Sequence, residues 1–262
     1  MRRMRIHALA AAFVFFAVPA IATPVLPGCV GPVEIDNALM LRVERNGVVA
    51  LTDGRAVVLE GIRLPSGTAD HGPQSFMNQA LAALTLLTQR APLTLTSTPP
   101  KEDRYDRVRG QLINGDNAWI QPELLKRGLA RVMIAPDRTE CASELFAAEA
   151  AARTAKAGIW SQAAYAIRTP DKVANDGGTF QIVEGKVLDT LMKNGRAYLN
   201  FGTDWKRDFT VVIEHDDLEN FRRTGVDPLS YKGQTIRVRG IVQWLNGPEI
   251  EVANPQSIEV VR

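Results

Sequence analysis

The sequence predicts an α+β chain, mainly β, organised as two barrels with a few helices. Three observations carry this. Short runs rich in Val, Ile and Leu, several of them alternating, recur through both halves. Hairpin dipeptides stand between such runs, at Asp53-Gly54, Asn114-Gly115, Asn194-Gly195 and Asn246-Gly247. Apolar residues at helical spacing occur in few segments. A chain of 262 residues is long enough for two ordinary domains.

In chain order, 39–45, 48–52 and 56–62 read as strands, the last two joined across Asp53-Gly54. A loop bearing Gly, Ser and Asp follows at 66–73. Over 74–89 the residues Phe76, Met77, Ala80, Leu81, Leu84 and Leu87 share one side at helical spacing. The stretch 93–97 alternates as a strand, and 108–113 and 118–120 flank the Asn114-Gly115-Asp116 turn. A short helix over 122–127 is stopped by Gly128, a C-cap residue. An alanine-rich helix runs over 139–157, with Thr139 as N-cap and Gly158 as stop.

The polar stretch 168–179, with Pro170, Asn175, Gly177 and Gly178, reads as a linker. Beyond it strands return at 181–188, 196–201, 209–213, 235–242 and 249–252, with one short helix over 218–223. Five strands and one helix predict a small closed barrel of the OB type. The organisation expected is a first domain over 29–167, the linker, and a second barrel over 180–262.

The N-terminus reads separately. Arg2, Arg3 and Arg5 precede an apolar run over 6–18, and Pro19-Ala20-Ile21-Ala22 ends in an A-x-A pattern. This is expected to be a secretory signal peptide over 1–22, too short to span a bilayer, which places the protein in the periplasm or outside the cell. No segment of the remaining chain is expected to cross a membrane. The formal charge of +2 includes those three arginines, so the chain without them carries −1. No overall basic bias draws it to nucleic acid.

Both cysteines, Cys29 and Cys141, lie in the part expected to be exported. An even count in an oxidising compartment favours a bridge between them. The alternative is lipidation of Cys29, since Leu26-Pro27-Gly28-Cys29 loosely resembles a lipobox, although Pro24 and Pro27 break the apolar run before it. The chain has no Cys/His metal cluster, P-loop, G-x-G-x-x-G or nucleophile elbow.

Four segments carry a family resemblance. They are A-L-T-D-G-R-A-V-V-L-E-G-I-R-L-P at 50–65, E-D-R-Y-D-R at 102–107, L-L-K-R-G-L-A-R-V at 124–132 and G-I-W at 158–160. In order and spacing they resemble the staphylococcal nuclease-like (thermonuclease) family over about 39–160. The resemblance implies a five-stranded OB-type barrel with helices, carrying a calcium-dependent phosphodiesterase site. The family motif R-L-x-G-I-D-x-P-E stands here as Val58-Leu59-Glu60-Gly61-Ile62-Arg63-Leu64-Pro65-Ser66. Val58 falls where the family has a phosphate-clamping arginine, Arg63 where it has a calcium-binding aspartate, and Ser66 where it has the glutamate that activates water. An upstream D-G-D, whose second aspartate binds calcium, aligns within a residue of Arg45-Asn46-Gly47. Only Arg107 matches a catalytic residue, with Asp103 and Tyr105 in register and Asp106 in place of a glycine.

The chemical consequence is direct. Ca²⁺ needs 6–8 oxygen ligands and carboxylates among them. Arg63 puts a cation where a carboxylate should be, Ser66 is a poor base without a partner, and Val58 offers nothing to phosphate. The reading is an exported, catalytically degenerate member with a binding or assembly role in the cell envelope, with no cofactor because the calcium site is lost. Arg107 either clamps a phosphate or pairs with Asp103 or Asp106. The alternatives are a phosphodiesterase with a rearranged site and an envelope carbohydrate- or protein-binding module. For a rearranged site the nearby groups are Asp53, Glu60, Asp70 and His71, with Arg63 or Arg55 as the expected partner of Glu60.

In the second barrel, Tyr198, Trp205, Lys206, Arg237 and Arg239 are candidates for a stacking platform that takes single-stranded nucleic acid. The other reading is that they close the barrel and pack the contact between domains. Residues 168–262 hold thirteen basic and fourteen acidic side chains, so charge does not favour nucleic acid there.

Overall fold

The computed structural model describes residues 25–204 and 206–261. The signal-peptide segment and Trp205 lie outside the described residues. In the first half, β1 (Val33–Ala38) and β2 (Met40–Val43) behave as one bent strand. β1 pairs with β6 (Leu93–Thr96), and β2 pairs with β3 (Val49–Leu51). β4 (Ala56–Leu59) returns from β3 across Asp53-Gly54, and a two-residue strand β5 (Ile62–Arg63) follows. β7 (Val108–Ile113) lies antiparallel to β6 and parallel to β4, with Val57 opposite Val108. The order β1-β6-β7-β4-β3-β2, with β1 running on into β2, closes a barrel of five strands. Helix α1 (Gln74–Thr88) connects the third strand to the fourth.

The second half repeats this plan. β9 (Phe180–Lys186) and β10 (Asp189–Lys193) make the bent first strand, followed by β11 (Arg196–Asn200) and β12 (Thr210–Ile213). Helix α4 (Leu218–Arg223) precedes β13 (Thr235–Trp244) and β14 (Pro248–Glu251). β12 and β14 are parallel, β13 closes onto β9, and β15 (Ile258–Val260) adds to the free side of β13. Both barrels therefore have the OB-type pairing order, with a parallel third-and-fifth pair and a helix between strands three and four. Each has its own apolar core. Val49, Leu51, Val57, Leu95 and Leu112 meet Leu84 of α1 in one, and Val183, Leu199, Val211, Ile236 and Ile250 meet Phe221 of α4 in the other.

Several boundaries differ from the sequence reading. The first strand begins at Val33 rather than 39, because an irregularity between its inward residues Ile35 and Ala38, with Asn37 at φ 54°, breaks the alternation that would mark a run. Residues 118–120 are not a strand. Trp119 makes a single bridge to Ile113, and α2 (Ile120–Lys126) starts directly after it with Pro122 in its first turn, where a missing N–H costs nothing. Gly128 ends that helix at φ 63°, and a β-carbon there would collide with the Ala157 carbonyl. β8 (Arg131–Val132) pairs with β5. Helix α3 (Ala142–Thr154) starts three residues after Thr139, which does not cap it; Cys141 precedes the helix in a left-handed conformation. The stretch 168–179 is held against the second barrel. Arg168 bridges Val183, and its guanidinium bonds the Asp176 carboxylate at 2.8 Å. β10 was missed because its residues are mostly exposed, so no alternation shows.

Cys29 and Cys141 are bridged, with Cα atoms 5.1 Å apart. The bridge ties the segment before β1 to the start of α3, across 112 residues. Removing it with Cys29→Ser and Cys141→Ser is expected to lower stability by about 4 kcal/mol, chiefly by freeing the unfolded chain. Denaturant titration of the variant against the parent checks this; a loss under about 1 kcal/mol would show the bridge adds little.

Candidate functional site

A cleft of about 340 Å³ opens where β2–β3, β4–β5 and α1 meet. The turn after β2 contributes Arg45, Asn46 and Gly47, and the strand ends contribute Val58, Arg63, Leu64, Pro65 and Ser66. Met77 and Leu81 of α1 close the apolar side. All three altered motif positions and the Arg45–Gly47 turn thus line one cavity. That juxtaposition follows from the parallel β4–β7 pair, which sets Val58 opposite Arg109, and from the turn at Glu60-Gly61.

The donor set of this cleft does not fit calcium. Two guanidinium-bearing residues line it and no carboxylate does. Its polar oxygens are the Ser66 hydroxyl, the Asn46 amide and backbone carbonyls, and the Asn46 oxygen already accepts from the Val48 amide at 3.1 Å. A hard divalent cation finds repulsion here in place of charge. Among the described residues no group of three or more His, Cys, Asp or Glu side chains converges.

The other candidates near this motif are scattered. Arg107 does not line the cleft; its guanidinium bonds Asp103 at 2.8 Å and packs over Tyr105, which Arg104 also covers. Asp103 also accepts from the amides of Tyr105 and Arg107. Its partial burial works against ionisation, but Arg107 and those amides outweigh it and hold the carboxyl below its ordinary pKa. Asp53 caps its own hairpin, accepting from the Arg55 amide at 3.0 Å and from the Arg55 side chain. Glu60 takes neither Arg63 nor Arg55 as partner. It is bound by Arg109 at 2.7 Å, and Arg109 also bonds Asp137 at 2.7 Å. Arg109 lies 49 residues from Glu60, so nothing local in the sequence announced the pair. Asp70 and His71 form no acid–base couple: His71 ends a short turn in a left-handed conformation, while Asp70 is buried.

Asp70 instead anchors the contact between the barrels. Its carboxylate lies 2.9 Å from Arg131, with both side chains at most 2 % exposed, and 3.8 Å from Arg63. It also accepts from the Ser66 amide at 2.8 Å. Arg131 donates to the Phe180 carbonyl of the second barrel at 2.6 Å and is sandwiched between the rings of Phe180 and Tyr165. Burial pushes the Arg131 guanidinium down from its ordinary pKa, and Asp70 opposes this. Burial likewise raises the Tyr165 hydroxyl. Arg63 lies over the far end of the same assembly, 5.7 Å from the Phe180 ring. Arg63, which the motif resemblance sets at a metal-ligand position, therefore belongs to the seam between the barrels.

A second buried pair lies along that seam. Arg239 of β13 bonds Glu149 of α3 at 3.0 Å and the Val132 carbonyl at 3.1 Å, and packs over Phe146. It also pairs with Glu259. Arg237, on the same face, bonds Glu184. These arginines thus serve the contact and the barrel, and they are not gathered with Tyr198, which lies on β11 and opens into a different groove. Lys206 bonds Asp204 through its backbone amide, and Trp205 lies outside the described residues. Sequence reasoning missed Arg131. The available signal was an arginine set between Ala130 and Val132 in an otherwise apolar run.

The first half is thus a barrel of OB-type order, with helices after its third and fifth strands and a cleft at the end of its third. Residues 56–162 match the model of the family described as staphylococcal nuclease homologue. The match runs from β4 past the end of α3, leaving the strands before residue 56 and the whole second barrel outside it. No curated protein matches the chain.

Proposed function

We propose that this is an exported protein whose nuclease-like barrel no longer hydrolyses phosphodiesters and serves a binding or assembly role in the cell envelope. One observation carries the reading: Val58, Arg63 and Ser66 line the same cleft, and no carboxylate lines it with them. Such a cleft has neither a ligand set for a divalent cation nor a base to activate water. What remains there is cationic, with Arg45 and Arg63 beside the Asn46-Gly47 turn, and suits anion binding more than cleavage. Export is supported by the charged and apolar pattern of 1–22 and by the Cys29–Cys141 bridge, which persists in oxidising compartments. The bridge also occupies the sulfur that a lipid on Cys29 would need. Among the described residues no helix is long and apolar enough to cross a membrane.

The test is a sensitive cleavage assay on linear DNA and RNA, with calcium and with chelator. No cleavage above background is expected in either. Each missing group of this kind is worth on the order of 10²–10³ in rate, and three are absent. Robust cleavage abolished both by chelator and by Arg107→Ala would overturn the reading in favour of a rearranged site. Mass spectrometry of the envelope-derived protein should find an N-terminus near Thr23 and no lipid on Cys29.

A further inference from the structure

The second barrel carries a groove of about 790 Å³ on the face made by β10, β11 and β12 with β14 and the turn before it. This is within the size range of small-ligand sites. Strand register arranges its floor in two rows. Leu191, Tyr198 and Val212 stand opposite one another across β10, β11 and β12. One step along the same face, Asp189, Asn200, Thr210 and Glu249 form the next row. An apolar stripe with an aromatic ring thus runs beside a stripe of amide, hydroxyl and carboxylate groups. The turn residues Leu245 and Asn246 wall one end.

We propose that this groove binds an uncharged oligosaccharide. A sugar ring has an apolar C–H face and a rim of hydroxyls, each both donor and acceptor. The Tyr198 stripe matches the face and the Asn200–Glu249 stripe matches the rim. Charge speaks against a polyphosphate. Three acids of the groove, Asp189, Glu214 and Glu249, stand against two bases, Lys193 and Arg196. Arg196 is engaged with Glu214 at 2.7 Å and Asp189 with Lys232 at 2.6 Å. The Glu249 side chain makes no hydrogen bond or ion pair among the described residues, its strand pairing being through the backbone, which leaves its carboxyl open to a ligand hydroxyl. Burial, then the neighbouring Glu251 and Glu214, hold it above its ordinary pKa. The site uses the strand-two and strand-three face and the loop between strands four and five, where OB-type barrels take oligosaccharides as well as oligonucleotides. It goes beyond the reading of the first barrel, and a first barrel that cleaved DNA would leave it standing.

Calorimetric titration of the purified chain with cellotetraose, maltotetraose and chitotetraose tests this, with an oligothymidylate as the polyanion arm. At least one tetrasaccharide should bind with a Kd of about 1 mM or tighter. Its affinity should not change between about 50 and 500 mM salt. Tyr198→Ala and Glu249→Ala should each weaken it about tenfold or more, and Tyr198→Phe should retain it. Arg104→Ala, on the first barrel, should have no effect. Circular dichroism checks folding; if Tyr198→Ala unfolds, Glu249→Ala and Asn200→Ala carry the test. No binding by any of the three sugars would overturn the proposal. So would binding that both groove variants leave intact, or salt-dependent binding of the oligothymidylate that Tyr198→Ala removes.

Discussion

Arg131→Met is expected to destabilise the protein by about 3–5 kcal/mol, because it strands the Asp70 carboxylate in the seam between the barrels. Arg63, at 3.8 Å and partly exposed, does not replace the lost partner. The same change removes the bond to the Phe180 carbonyl and the cation between the Tyr165 and Phe180 rings. Asp70→Asn should cost a comparable amount by leaving a buried guanidinium short of its counter-charge. The double variant should cost less than the two single losses together, since removing both charges removes their mutual dependence. Equilibrium denaturation of the four proteins checks this. Additive losses, or a single loss below about 1 kcal/mol, would show that the pair does not support the seam.

The second large effect concerns attempts to rebuild the cleft. Val58→Arg, Arg63→Asp and Ser66→Glu together restore the family pattern on paper. In this fold Arg63→Asp sets a carboxylate toward the buried Asp70 and removes a cation from the Phe180 ring. It is expected to cost about 1–3 kcal/mol by itself. Ser66→Glu alone should stay within about 1 kcal/mol, as Ser66 supplies Asp70 only with its backbone amide. The triple variant should therefore lose stability while gaining at most weak calcium-dependent cleavage, because the turn at Arg45-Asn46-Gly47 still offers no aspartate. Thermal unfolding of Arg63→Asp beside Ser66→Glu, with cleavage assays on the triple variant, tests both halves. An undiminished Tm for Arg63→Asp would detach Arg63 from the seam.

These effects mark where the sequence was legible and where it was not. Local periods and turn residues located Val108–Ile113, the Asp53-Gly54 hairpin and the helix Leu218–Arg223 to the residue. Motif order brought Val58, Arg63 and Ser66 into one cleft. Pairings across long separations were beyond reach. Glu60 found Arg109, Asp70 found Arg131 and Glu149 found Arg239, each chosen by how strands and barrels pack. A charged residue in an apolar run signals that a partner exists, but not which one. The rows of the second-barrel groove were hidden for a related reason. Tyr198 is visible as an aromatic, while its neighbours Leu191 and Val212 follow only from register, which alternation in one strand does not specify.

The repeated strand order has a kinetic side. Each barrel closes through a parallel pair whose members are distant in the chain: Val57 meets Val108 in the first, and Thr210 meets Glu249 in the second. Neither pair gains anything until the intervening loop and helix have been ordered, so closure is the entropically costly event in both. The first barrel has the wider span to gather. The Cys29–Cys141 link joins the segment before its first strand to the start of α3, beyond its last strand, and once oxidised it keeps the chain on either side of the barrel from diffusing apart. The second barrel has no such tie and closes over a shorter stretch. One chain thus holds two copies of the same topological problem, one with a covalent clasp around it and one relying on chain proximity alone.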